Sequence, residues 1–419
     1  MKKTVALLLL ALIACGMLAA CGGDTPPAES SSPGSATPEA TGEREEFYIL
    51  ACSGTEVETM KDVIAEAGDA LPYDVIVEDA PWAQFSEKMS LEMASDASRY
   101  DLMLMPAQWM GDYVNYLAEI DMDTNDFIDG LVESYQVDGV QYGIPYYAMA
   151  LMFYYRPDIW EEAGVTSEPE TWDEWYADIQ AVAEVKPDDM TTTTIPLANT
   201  THLSSFYAVL LWDKGTDVIV DGKVALDTPE AKESLQFMCD LYNGGYLPTS
   251  AFELGFSEGS ELFAQGQTTS AFDFNRKIAI ISDPECSVVS DSWSAFMVPG
   301  NASLMGPWGF VIPGTAKDME ASEYMLEWLT SAESMTPLAK TGSAVCRTSV
   351  LTDESVLAEV PEMESVLKSL NKAQRELWPN YDAVSQALIK GLSEAVAGGL
   401  RVDDALAQMQ SEIEAIIES

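Results

Sequence analysis

The chain has 419 residues, 47% hydrophobic and 10% aromatic, which is enough apolar material for more than one core and predicts about two domains. Its 21 Lys and Arg against 69 Asp and Glu give a net charge of −48, which argues against nucleic acid and against an anionic lipid surface, since both are held by cationic side chains. Self-repulsion in favour of solubility is the plain reading of that charge, and attraction of a cationic ligand is the sharper one.

The chain starts with Lys2 and Lys3, an apolar stretch over residues 5–14, and then Leu18-Ala19-Ala20-Cys21. A charged start, a short apolar region and small residues before a cleavage point form an export signal, too short for a spanning helix. Leu-Ala-Ala-Cys resembles the lipobox of bacterial lipoproteins, which implies cleavage before Cys21 and a diacylglycerol on its sulfur. Leu12-Ile13-Ala14-Cys15 is a second candidate with a shorter apolar region. An ordinary signal peptide with an incidental Cys21 is the alternative. Residues 22–46, rich in Thr, Pro, Ser, Ala, Gly and Glu, lack the apolar side chains to offset ordering entropy and read as a linker.

Globular sequence starts at Phe47. The run Phe47-Tyr48-Ile49-Leu50-Ala51 predicts a strand buried on both faces. Thr55 and Glu58 have capping-box spacing and open a helix toward Ala67. Val75-Ile76-Val77 predicts a second strand, the spacing of Phe85, Met89, Leu91 and Met93 a helix, and Asp101-Leu102-Met103-Leu104-Met105 a third strand stopped by Pro106. Alternating strands and helices predict a parallel α/β sheet, with ligand sites beyond the strands' carboxyl ends. Ser53, Gly54, Thr55 and Glu56 follow one such end, and Ala107, Gln108 and Trp109 another. A second region starts near Tyr146. In it Thr171-Trp172-Asp173-Glu174 is a capping box opening a helix to about Val185, and Thr228-Pro229 opens another to about Asn243. From Met319 on the chain is mostly helical, ending on the spacing of Ala405, Leu406, Met409, Ile413, Ile416 and Ile417. No apolar run after residue 21 reaches the ~20 residues of a spanning helix.

The chemistry is sparse. His202 is the only histidine, which removes paired-histidine zinc sites and makes a histidine-based acid/base dyad improbable. Gly255-Phe256-Ser257-Glu258-Gly259 matches a nucleophile elbow, but no buried strand precedes it and His202 lies upstream. Asp121, Asp123 and Asn125 resemble the start of a calcium loop, yet Asp126 takes the glycine position and Val132 the place of the closing glutamate. No metal or cofactor is expected. Cys52, Cys239, Cys286 and Cys346 are widely and irregularly spaced, so single thiols and bridges stand equal.

The aromatic set stands out, with 10 Trp and 17 Tyr. Trp82 follows Pro81, Trp308 sits between Pro307 and Gly309, and Trp378 precedes Pro379-Asn380-Tyr381. Flat apolar faces with a polar tip suit sugar rings, while core packing is the ordinary fate of any single tryptophan.

From Phe47 onward the chain resembles the extracellular solute-binding proteins of bacterial ABC importers, in their carbohydrate-binding branch. The strongest segment runs Asp138-Gly139-Val140-Gln141-Tyr142-Gly143-Ile144-Pro145-Tyr146, then from Phe153 through Trp160 to Gly164, then Pro169-Glu170-Thr171-Trp172-Asp173-Glu174. Weaker matches are 262–267 with Phe272-Asp273, the turn 305–310, residues 342–350 with Arg347, and Val402-Asp403-Asp404-Ala405-Leu406. Arg156 departs from the family's usual asparagine, so no role is carried to it. The resemblance implies two α/β lobes closing on ligand by hinge motion, with crossings near 145–149, Asp273 and 310–314. Lobe one is then 47–146 plus 274–311, and lobe two 147–273 plus 312–419. It implies a site built from Ser53, Glu56, Trp82, Trp109, Tyr146, Tyr147, Asp273, Trp308, Arg347 and Tyr381. The aromatic rings would stack on sugar, and Glu56, Asp273 and Arg347 would bind its hydroxyls. The implied function is capture of a carbohydrate, without catalysis, for delivery to ABC permease subunits. A monomer on the outer face of the cytoplasmic membrane, held there only by lipid, is expected. A binding protein for a cationic solute such as a polyamine, and a cell-surface carbohydrate-active enzyme, are the alternatives.

Overall fold

A computed structural model describes residues 44–418. Cys21, the predicted lipidation site, and almost all of the expected linker lie outside the described residues.

The strands, in chain order, are β1 (Glu45–Cys52), β2 (Tyr73–Ala80), β3 (Leu102–Pro106), the hairpin β4 (Gln136–Val137) and β5 (Val140–Gln141), β6 (Gly143–Tyr155), the hairpin β7 (Ile219–Val220) and β8 (Lys223–Val224), β9 (Ser270–Phe274), β10 (Ser294–Met297), β11 (Ser303–Val311), β12 (Ala344–Val345) and β13 (Ala373–Gln374). The first three strands and the helices Thr55–Ala67 and Trp82–Met93 form where the apolar runs place them. β1 pairs in parallel with β2 and β3, as alternation predicts. The sheet is mixed, however. β11 runs antiparallel to both β3 and β6, and β9 and β10 run antiparallel to β6. The helix at Thr171 has its full capping box, with Thr171 Oγ1 accepting from the Glu174 amide at 3.2 Å. Thr228 likewise caps a helix with Pro229 at its first position. Thr55 forms no such box: Gly54 caps, and Thr55 is already helical.

β6 organises the molecule. Its first half, residues 143–150, pairs with β11, and its second half, residues 151–155, lies between β9 and β10. Side chains alternate faces along a strand, so Met152 and Tyr154 enter one core while Leu151 and Phe153 enter the other. The first core gathers Phe47, Ile49, Leu102 and Leu104 with Met325, Leu326, Met335 and Leu338. The second gathers Trp160, Trp175, Phe206, Phe272 and Leu388 with Met409.

Past Asp273, β10 pairs with the far half of β6, while Ile278, Ile281 and Val289 enter the first core and β11 pairs with the first half of β6. The helices Met319–Leu329 and Ala332–Lys340, expected in lobe two, pack on the β1–β3 side, where Ser322 Oγ donates to Asp101 O at 3.0 Å.

One surface carboxyl is out of line with its surroundings. In the helix Trp172–Val185, burial and then the Glu174 charge one turn earlier push the Asp178 carboxyl up to about 6. The folded state thus holds this proton more tightly than the unfolded chain, whose value is about 4. Ionisation weakens the fold, starting as pH rises past the unfolded value and complete above the folded one. Asp178→Asn is therefore expected to raise the melting temperature at pH 7 and leave it unchanged near pH 3. Equal gains at both pH values would mean that the carboxyl's charge is not the cause.

Candidate functional site

Three parallel strands end side by side, and the chain puts an aromatic or polar residue just past each end. After β1 come Ser53, Gly54, Thr55 and, in the first helical turn, Glu56. After β2, Pro81 turns the chain and Trp82 begins a helix. After β3, the turn Ala107–Trp109 presents Trp109. β11 brings Trp308 directly opposite Pro106 of β3 on one side and Tyr147 of β6 on the other. The β6–β11 register slips at Trp308 and Gly309, which face Tyr147 and Pro145. Tyr146 is thus the extra residue of a bulge, a device that re-aims neighbouring side chains.

The rings form one continuous platform. Trp82 lies 5.0 Å from Trp109 and 5.9 Å from Trp308, between centroids, and Tyr147 stacks on Trp308 at 5.9 Å with 10° between planes. Phe85 stacks on Trp109 at 5.7 Å, and Tyr113 closes its edge. Exposure is graded: Trp82 is 46% exposed, while Trp308 and Tyr147 are 8% and 7%. Trp82 offers a free face, Trp109 is half-buried, and Trp308 and Tyr147 are the floor. Tyr146, 1% exposed, turns away and packs on Phe310 at 4.9 Å. Burial first, and then the Glu56 charge, push the Tyr147 hydroxyl well above its usual range, so it acts as a neutral donor. Ser53 Oγ donates to Asp79, whose carboxylate also pairs with Lys61 at 2.6 Å and is held below the usual range by that pairing, then by Ser53.

Three expected residues lie apart from the platform. Asp273 is fully buried, accepts from Ser260 Oγ at 2.6 Å and from the Phe274 amide at 2.7 Å, and is pushed up by burial. Arg347 Nε donates to Thr330 O at 2.6 Å, its Nη1 pairs with Asp126 at 3.1 Å, and its guanidinium covers Phe127 at 4.2 Å. Both are occupied by internal partners, as residues that hold the fold are. Tyr381 starts a helix of the second core and stacks on Trp378 at 5.9 Å; burial and then Glu376 push its hydroxyl up to about 12.

Sequence reasoning missed Phe85, Tyr113, Asp79, Arg375 and Glu376. Asp79 was within reach, since it precedes Pro81 and Trp82 at a strand end; the others depend on long-range pairing. Arg375 Nη1 donates to Ala107 O at 3.3 Å, which ties the segment after β13 to the Trp109 turn. A cavity of about 650 Å³ lies elsewhere, among the helices carrying Trp172, Leu210 and Phe237. Its lysines are committed, Lys214 to Glu233 and Lys232 to Asp403, which leaves the platform as the better candidate. Among the described residues no cluster of His, Cys, Asp or Glu is arranged to hold a metal, and no helix is long and apolar enough to cross a membrane. Gly255 caps the helix Phe256–Ala264 with no strand before it, so the Gly-x-Ser-x-Gly segment is a helix start. The four described cysteines are unbridged.

The family model for bacterial extracellular solute-binding proteins matches residues 53–336. A Brucella abortus binding protein is 26% identical over 208 residues, and the match spans about half of each chain, 48% of this one and 49% of that one. The mannitol-binding protein of Pseudomonas aeruginosa is 22% identical over 77% of this chain and 82% of its own. Among solved structures, maltose-bound MalE3 of T. maritima superposes with a TM-score of 0.76 at 22% identity, over 88% of this chain and 99% of that one. The sugar-binding protein MalE of Xanthomonas citri gives 0.78 at 19% identity, over 89% and 97%. At these identities the structural likeness establishes the two-lobe α/β fold.

Proposed function

The chain belongs to the bacterial extracellular solute-binding proteins, a family of binding proteins and not of enzymes, and on that footing we propose that it captures a carbohydrate and delivers it unchanged to the permease of an ABC importer. The observation that carries this reading is the platform of Trp82, Trp109, Trp308 and Tyr147 at the ends of three parallel strands. Sugar rings present C–H faces to such rings, and their hydroxyls find donors and acceptors at the rim. A ligand that binds only the native state raises the melting temperature by mass action. A thermal-unfolding screen of the mature protein against mono- and oligosaccharides is the test. Stabilisation by a saccharide that is recovered intact supports the reading, and a saccharide recovered cleaved would place the protein among enzymes.

We propose a division different from the expected one. Lobe one holds β1–β3, the first half of β6, the end of β11 and the helices Met319–Leu329 and Ala332–Lys340. Lobe two holds the second half of β6 with β9, β10 and the helices around the second core. The hinge then falls near 147–150 and 304–306, few enough residues to let two rigid bodies rotate. Ligand touching both lobes favours the closed form by its differential affinity.

We further propose that Cys21 carries a lipid anchor and that the protein is a monomer outside the cytoplasmic membrane. Two acyl chains hold a protein at a bilayer far longer than one. Cys21→Ala is expected to leave the membrane fraction or to remain unprocessed. A mutant that fractionates with membranes as wild type does would remove the anchor.

A further inference from the structure

Most arginines of this protein hold a carboxylate. Arg44, Arg99, Arg156, Arg347 and Arg401 each hold a carboxylate, whereas Arg276 and Arg375 hold none among the described residues. Glu376 shows the complementary lack. Its Oε1 is sealed from solvent with no hydrogen-bond partner among the described residues, the only ionisable side chain there with such an atom, although Ser205 serves the carboxyl as a whole. A carboxyl oxygen of this kind is costly to leave unserved.

Arg375 lies at the edge of the platform. Gln374 pairs with Leu304 on β11, four residues before Trp308, and Arg375 reaches Ala107 at the start of the Trp109 turn. Glu376 follows, on the side of Ser205 and of Tyr381 from the second core. Arg276 sits in the turn after β9, where its charge is felt at Tyr147.

We propose that Arg375 and Glu376, with Arg276, are the hydroxyl-binding groups of the site and select an uncharged polyhydroxylated ligand over an acidic or a cationic one. This rests on the carbohydrate reading and narrows it. A guanidinium only donates and a carboxylate only accepts, while a hydroxyl does both. Neighbouring hydroxyls therefore serve two consecutive residues of opposite demand. An acidic ligand would suit the arginines but would meet Glu376. A polyamine would suit Glu376 but would meet two arginines that form no close ion pair among the described residues. Selection of this sort rests on repulsion as much as on attraction.

The test uses the mature chain with maltose and mannitol as neutral probes, galacturonate as the acidic probe and spermidine as the cationic one. Thermal unfolding ranks them, and calorimetry then follows the better neutral probe. Stabilisation is expected from a neutral probe alone. Glu376→Gln and Arg375→Gln are each expected to weaken that probe by about tenfold or more, with unliganded melting close to wild type. Arg276→Gln, at an exposed position, keeps the test open if either of the others unfolds. Wild-type affinity in the folded variants overturns the assignment and leaves the carbohydrate reading standing. Stabilisation by galacturonate or spermidine alone overturns the ligand class. No shift with any saccharide removes both readings together.

Discussion

Replacing Trp82 with alanine is expected to weaken saccharide binding by about thirtyfold, the effect of losing ~2 kcal/mol at a stacking contact, while leaving the melting temperature close to wild type. The grading of exposure across the platform is the reason. Trp82 is 46% exposed, so its truncation removes a free face and leaves little cavity behind. Trp308 is 8% exposed and touches Tyr147, Phe85 and Trp82 at once. Trp308→Ala is expected to lose comparable affinity and also about 3–5 kcal/mol of stability, as buried tryptophans do when truncated. Calorimetry and thermal unfolding on the two variants separate the effects. Unchanged affinity in a folded Trp82→Ala protein, together with intact binding in whatever folds of Trp308→Ala, would return both rings to packing alone.

Gly309→Ala is expected to be the most damaging small substitution, destabilising by about 3 kcal/mol or more through overpacking. A Cβ at this position would lie 2.7 Å from the Ile144 carbonyl oxygen and 2.7 Å from Tyr135 Cζ. Neither neighbour can step back. Ile144 is in the middle of the sheet, and Tyr135 is fully buried with its hydroxyl donating to Met105 O at 2.7 Å and Pro307 O at 3.2 Å. Three strands and one ring thus converge on a position with room for hydrogen alone. Tyr135→Phe should be milder, since the ring stays and only the two carbonyls lose a donor. Urea unfolding of both variants checks the order, and a Gly309→Ala midpoint equal to wild type would show that the sheet can yield here.

Much of this architecture can be read from the residues, for local reasons. Thr171 with Glu174, and Thr228 with Pro229, act within one helical turn, and both helices start where they predict. The runs at Phe47 and Leu102 are short and wholly apolar, and they become the central strands. Gly54, having no side chain with which to cap, took the position that Thr55 was expected to fill. The return through β11 depends on pairings with β3 and β6 more than 150 positions away, which no local pattern encodes. The site divides in the same way. Trp82, Trp109, Trp308 and Tyr147 sit beside prolines, turns or strand ends and do come together. Asp273 and Arg347 sit in equally suggestive motifs, but Ser260 and Asp126 already engage them. A charged residue's internal partner is invisible until the fold is known. Arg375 and Glu376 carry no motif, and only a guanidinium without a carboxylate and a carboxyl oxygen without a donor mark them.

The way the two cores share the chain also sets a timetable. The first core contains both Phe47 and Leu370, and the second both Leu151 and Ile413. Neither is a contiguous stretch, so neither can close until nearly all of the polypeptide has emerged from the ribosome. Contacts this distant form slowly, because loop closure must precede the burial that rewards it. For most proteins that delay is a hazard, since exposed apolar strands invite aggregation. For a chain that must be threaded through a membrane before it works, the same delay keeps it unfolded long enough to be threaded, and the charge of −48 keeps such chains apart meanwhile.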